Sequence, residues 1–188
     1  MRTVTGVKPT GQERTFGMEE IIVSKTDAKG VITYANDVFL RLARYDEGEV
    51  IGQPHNLIRH PQMPRGVFHL LWHTISSGQE IFAYIDNLAA DGANYWVLAH
   101  VTPTKDAHGR LTGYHSNRRC PERSAVTHVR DVYARMLAHE ERHGGGRDAA
   151  ASSAQLLLDE LNEGGRSYED FVWDLIQSVP AEQAPCAR

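Results

Sequence analysis

Three groups of side chains in this sequence could act on one bound molecule. Phe68, Leu71 and Trp72, with Phe82 and Trp96, are large apolar or aromatic groups able to enclose a flat apolar ring. Asn36, Asn87 and His115 combine donor and acceptor atoms and could meet the polar edge of such a ring. Arg59 and His60 lie in a proline-punctuated stretch, where backbone N–H groups between short turns are free to meet an anion such as a phosphate. Each group also has a plain structural reading. The aromatics suit an ordinary core, Asn36 could simply cap a helix, and Arg59 and His60 could be a surface arginine and a turn-stabilising histidine.

Other chemistry is weakly represented. His69 and His73 are four apart, a spacing that can hold a metal. They fall off the face marked by Phe68, Leu71, Trp72 and Ile75, so a solvent-side position is expected. No Ser–His–Asp grouping, phosphate loop, paired-carboxylate motif or CxxCH is present, and binding rather than catalysis is the expectation. A net charge of −4 excludes a strongly basic nucleic-acid binder, and the short cluster Arg118, Arg119 and Arg123 reads as a solvated patch. Cys120 and Cys186 lie far apart and form no CxxC pair, which suits a reducing compartment. No apolar run reaches the roughly 18 residues a membrane span needs, and the N-terminus lacks an apolar signal region. These features together place the expected location in the cytoplasm, with no membrane insertion.

The elements that would position these groups follow from pattern. Residues 1–18 are polar and glycine-punctuated, and read as a loose arm or cap. Glu20–Thr26 and Val31–Ala35 are β-rich and flank the turn Asp27–Gly30, a hairpin signature. Asn36 and Asp37 offer an N-cap to a helix through Val38, Phe39, Leu42 and Ala43. From Tyr45 to Pro64 the prolines permit only one-turn helical pieces. A longer helix begins near Pro64 and stops at Gly78. Three β segments follow at Ile81–Ile85, Tyr95–Val101 and Leu111–Asn117, joined by turns carrying aspartate and glycine. Strands split by a helical insert make an α+β domain on an antiparallel sheet, with helices over one face. Beyond Pro121, three amphipathic helices end or begin at Gly144–Gly146, Gly164–Gly165 and Ser167. The domain reading is therefore an arm or cap (1–18), an α+β domain (19–120), a C-terminal helical region (121–179) and a disordered tail (180–188).

Ile32–Phe39, Gly52–Pro64, Phe68–Trp72, Asp91–Val97 and Gly113–Arg118 occur in an order and spacing that closely resembles the PAS sensor domain of bacterial aerotaxis receptors. The string Gly52–Pro61 is the most specific of these. The family's RHPDMP motif stands here as Arg59–Pro64 with Gln62 at the aspartate position, and Ile81 replaces a tryptophan that some members carry. The resemblance implies a five-stranded antiparallel PAS fold holding FAD between the sheet and the helical layer. It implies that Leu57 and Trp72 line the cofactor, that Arg59 and His60 meet its pyrophosphate, and that His115 faces the ring from the last strand. No cysteine falls where LOV photoreceptors form their flavin adduct.

On this reading the chain is a stand-alone redox or oxygen sensor for energy taxis, not an enzyme. It would signal in trans through protein contacts, as a homodimer or to an unidentified chemoreceptor or kinase. Two alternatives share the fold. One is a haem-binding gas sensor using His60 or His115, and the other is a cofactor-free dimerisation or interaction module.

Overall fold

A computed structural model describes residues 6–177. The expected disordered tail at 180–188 lies outside the described residues.

The sheet is built by local rules that the sequence displays. Strands β1 (Ile22–Asp27) and β2 (Ile32–Ala35) pair antiparallel across a turn in which the Asp27 carboxylate accepts from the N–H groups of Lys29 and Val31. The chain then leaves the sheet through α1 (Asp37–Ala43), α2 (Glu47–Val50), a 3-10 turn (His55–Ile58) and α3 (Arg65–Ser76). It returns as β3 (Ile81–Leu88), β4 (Asn94–Lys105) and β5 (Leu111–Arg119). The spatial order is β2-β1-β5-β4-β3, antiparallel throughout, so β5 closes the sheet against β1. Helices α1 and α3 lie over one face, as expected.

Strand register decides which side chains look at those helices. Side chains opposite one another in antiparallel strands share a face, and successive residues alternate. Ile85 opposite Val97, Asn87 opposite Tyr95, Ala99 opposite Arg118 and Ser24 opposite Ser116 define the helix-facing surface. Phe82 opposite His100, Asp86 opposite Trp96 and Lys25 opposite His115 define the outer surface.

The C-terminal region forms α4 (Arg123–Arg142), α5 (Arg147–Glu163) and α6 (Tyr168–Gln177), and they bury their apolar stripes on this same domain. Tyr133 in α4 stacks on Trp96 and donates its hydroxyl to the Tyr84 carbonyl at 2.8 Å. Trp173 in α6 packs on Phe82, and Tyr168 donates to the Phe82 carbonyl. These contacts cover the outer surface of β3 and β4. Helix α5 instead lies against α3, where Gly66 permits the approach: a Cβ there would meet Ser153 Oγ at 2.1 Å. The extension thus wraps around the β3 edge and touches both layers.

The N-terminal arm is held against the sheet as a cap rather than a loose arm: Thr10 N–H donates to the Gly92 carbonyl, Arg14 N–H to the Asn94 carbonyl, and the Arg14 guanidinium reaches Asp91 and the Leu42 carbonyl. Cys120 is buried, and Cys186 lies outside the described residues.

Candidate functional site

The helix-facing surface of the sheet carries polar groups that the protein itself does not satisfy. Asn87 Nδ2, Tyr95 Oη, Ser116 Oγ and Arg118 Nη1 are all buried there without a hydrogen-bond partner. An unsatisfied buried polar atom costs about 1–3 kcal/mol, and native structures rarely leave several on one surface. Asn56 Oδ1, on the turn after Pro54, is a further buried atom of this kind.

The helices over the same surface contribute apolar groups. Trp72 in α3 meets Tyr114 edge-on, with ring centroids 5.4 Å apart. Its ring also lies over Gly30, where an added Cβ would come within 2.8 Å of Trp72. Leu57 and Leu71 are buried in the core, and Phe68 packs against it half-buried. Phe39 in α1 lies under the Arg118 guanidinium.

One end of this surface is strongly polarised. Arg118 is 3 % exposed and donates to Ser24 Oγ at 2.9 Å and to His55 Nε2. An arginine can only donate, so His55 Nε2 accepts and the ring is neutral with its proton on Nδ1. Burial, reinforced by the Arg118 charge, lowers the His55 pKa to about 3. Burial lowers that of Arg118 to about 10, and among the described residues this cation forms no salt bridge. Burial also raises the pKa of Tyr95, so its hydroxyl stays protonated.

The sequence-based site residues divide into two sets. Leu57, Arg59, Phe68, Leu71, Trp72 and Asn87 gather along the helix-facing side or its rim. Arg59 forms a backbone bridge with Asn87 at the β3 edge, stacks its guanidinium 4.1 Å from the Phe68 ring centroid, and donates to the Met63 carbonyl. Its pKa falls to about 10, chiefly through burial and then the neighbouring charge of Arg65.

His115, Phe82 and Trp96 do not join them. They sit on the outer surface, Phe82 stacked on His100 and Trp96 between Tyr133 and Arg130. Asn36 is also spent elsewhere: its Oδ1 accepts from Phe39 and Val23 N–H, and its Nδ2 donates to the Ile21 carbonyl. The helix cap is therefore its role. His60 is buried at the β3 edge beside Asp86, with Nδ1 3.8 Å from a carboxylate oxygen. That nitrogen accepts from Gln62 N–H, so the approach is not an ion pair. Burial pushes Asp86 up to about 7 and lowers the pKa of His60, which leaves both inclined to be neutral. His69 and His73 are exposed as expected, and the described residues contain no group of His, Cys, Asp or Glu able to hold a metal.

Sequence reasoning missed Ser24, His55, Tyr95, Ser116 and Arg118. The signal was the alternation of the last strand, whose Tyr114–Ser116–Arg118 register faces the helices while His115 faces away.

The sheet, of order β2-β1-β5-β4-β3, thus carries unsatisfied polar groups under its helical layer. The PAS domain family profile matches residues 19–116. The chain belongs to the PAS domain family. It is 33 % identical over 129 residues to the aerotaxis receptor of Escherichia coli, covering 69 % of this chain and 25 % of the receptor. It is also 33 % identical over 94 residues to the nitrogen fixation regulatory protein of Klebsiella pneumoniae, covering 50 % of this chain and 19 % of that protein. The chain therefore spans a quarter or less of these relatives' length. Among solved structures it matches the blue-light photoreceptor Aureochrome1 LOV, light state, with a TM-score of 0.52 and 22 % identity, covering 64 % of this chain and 91 % of that one. That likeness concerns the fold. No described helix is long and apolar enough to cross a membrane.

The residues present fit a flavin. A flat, mostly apolar ring system with a polar edge needs an apolar wall and a few convergent donors and acceptors. Trp72 and Leu71 supply the wall; Asn87, Ser116, Tyr95 and Arg118 supply the edge.

Proposed function

We propose that this PAS domain binds FAD and works as a redox or oxygen sensor that reports to another protein rather than catalysing a reaction. The observation that carries the reading is the cluster of four unpartnered polar atoms on Asn87, Tyr95, Ser116 and Arg118, all under the helical layer. The kinship with an aerotaxis receptor supports the same reading.

A bound flavin would supply an electron-accepting ring whose charge and protonation change on reduction. The chain's own groups respond to that change. The Asn87 amide can present either its donor or its acceptor, and the Ser116 hydroxyl can rotate between the two roles. Arg118 is a fixed buried cation that forms no salt bridge among the described residues, so it favours whichever ligand state carries more negative charge. A mismatch at one buried pair costs about 1–3 kcal/mol, enough to bias a two-state packing arrangement.

The polypeptide route outward is continuous. Asn87 bridges Arg59, Arg59 holds the Met63 carbonyl, and Met63 leads into α3, whose first turn is gripped by Glu140 of α4. The C-terminal helices would present that bias to a homodimer partner, or to a chemoreceptor or kinase, in the cytoplasm.

The haem alternative is disfavoured by orientation: neither His60 nor His115 faces the helix side, and the inward His55 has its Nε2 held by Arg118.

Titrating FAD into the chain and its variants tests the reading. Asn87→Leu should weaken FAD binding at least about tenfold, while His115→Leu, on the outer surface, leaves it unchanged. The reverse pattern, or no effect at Asn87, would overturn the assignment.

A further inference from the structure

We infer that the α4–α5 junction forms one wall of a nucleotide site that takes the adenosine-phosphate end of the dinucleotide flavin. The inference rests on the flavin reading above and extends it to the C-terminal region.

A cavity of about 460 Å³ lies between the segment leading into α3 and the end of α4. Its size falls within the range of about 300–1,000 Å³ common for small-molecule sites. Asn56, Arg59, Met63 and Arg65 line it from the PAS domain; Leu137, Glu141 and Gly144–Gly145 line it from the extension. Neither part forms it alone.

The lining offers the chemistries an adenosine phosphate requires. Arg59 and Arg65 are cations suited to phosphate oxygens. Asn56 contributes a buried amide oxygen that no protein donor satisfies. Glu141 is an exposed carboxylate on the rim, suited to accepting from ribose hydroxyls. Leu137 and Met63 add apolar surface for a purine.

Glu140, the other carboxylate in the lining, is already committed. Its oxygens accept from Arg65 N–H, Gly66 N–H and Ser153 Oγ–H. It therefore holds the PAS domain and the extension together beside the cavity, rather than confronting an incoming anion as a free charge.

Continuity with the ring site is provided by Arg59. Its backbone bridges Asn87, and its side chain lines the cavity. A molecule whose ring lies against Asn87 and whose tail passes Arg59 would enter this space. Occupancy by a dinucleotide then ties the extension to the sensor domain, whereas a mononucleotide does not reach it.

Affinity of the full chain for FAD and FMN, measured in parallel, tests this. The intact chain should prefer FAD by about tenfold or more. Leu137→Trp, which fills the cavity, and Glu141→Ala, which alters only an exposed side chain, should each reduce that preference to about twofold without changing the affinity for FMN. ADP should compete with FAD but leave FMN bound. Equal binding of FAD and FMN by the intact chain would overturn this inference alone, as would a preference untouched by both variants. ADP that binds without opposing FAD would also overturn it, by making the cavity a separate nucleotide site. Failure of both flavins to bind the intact chain would overturn the flavin reading itself.

Discussion

The Glu140 carboxylate of α4 accepts a hydrogen bond from the backbone N–H of Gly66 at 2.8 Å, at the first turn of α3. It also accepts from Arg65 N–H at 3.0 Å and from Ser153 Oγ–H at 2.7 Å. The first N–H groups of a helix have no partner within it, and a carboxylate there also meets the positive end of the helix dipole. α3 is preceded by Pro64, which supplies no side-chain cap. A residue from far along the chain performs the task instead, and so joins α3 to the C-terminal region.

Glu140→Ala should therefore destabilise the fold by about 2 kcal/mol or more, because it leaves three donors unmatched, two of them buried. Urea unfolding of variant and parent gives the value. Glu140→Gln should recover part of the loss, since its single oxygen can still accept. A change below about 0.5 kcal/mol in Glu140→Ala would show that the cap contributes nothing.

His55 should remain neutral throughout the accessible acid range. Its folded pKa, about 3, lies below the ordinary 6.5, so the unfolded chain takes up this proton first. The sign follows: this group's contribution is intact above about pH 6.5 and is lost as pH falls toward 3. Nitrogen-15 NMR of the folded protein should show an Nδ1–H tautomer for His55 that does not titrate between pH 7 and pH 5. A midpoint near the ordinary histidine value would contradict the Arg118–His55 arrangement.

Arg118 makes a prediction about redox poise. A buried cation that forms no salt bridge among the described residues stabilises added negative charge, so Arg118→Gln should make bound flavin harder to reduce. The midpoint should move to more negative potential by about 30 mV or more, the equivalent of 1.4 kcal/mol for a two-electron couple. Spectroelectrochemical titration of the flavin-loaded chain measures it. An unchanged or more positive potential would place Arg118 outside the reach of the ring.

Local chemistry made most of the fold legible. The Asp27–Gly30 turn, the Asn36 cap and the glycines between the C-terminal helices punctuate the chain where the elements begin and end. Strand ends were less visible. β3 extends to Leu88 and β4 to Lys105 because both continue to pair beyond the apolar cores read from pattern.

The site was harder to read, for two physical reasons. A strand alternates faithfully, but alternation does not say which of its faces is covered by which helices. In β5 the face of His115 was chosen, whereas Tyr114, Ser116 and Arg118 are the residues that face the helices. The second reason is charge. Arg118, beside Arg119 and Arg123, reads as a solvated patch in sequence, yet it is buried against Ser24 and His55. Only the pairing of β5 with β1 brings those three residues together. The aromatic residues misled in a similar way: Phe82 and Trp96 are core residues, but of the layer made with α4 and α6.

The most direct test of the central claim is the absorption spectrum of the full chain purified without added cofactor, followed by identification of what heat releases. The account predicts flavin bands in the visible region and FAD in the supernatant. A haem band, or a colourless protein that takes up no flavin when FAD is supplied, would contradict it.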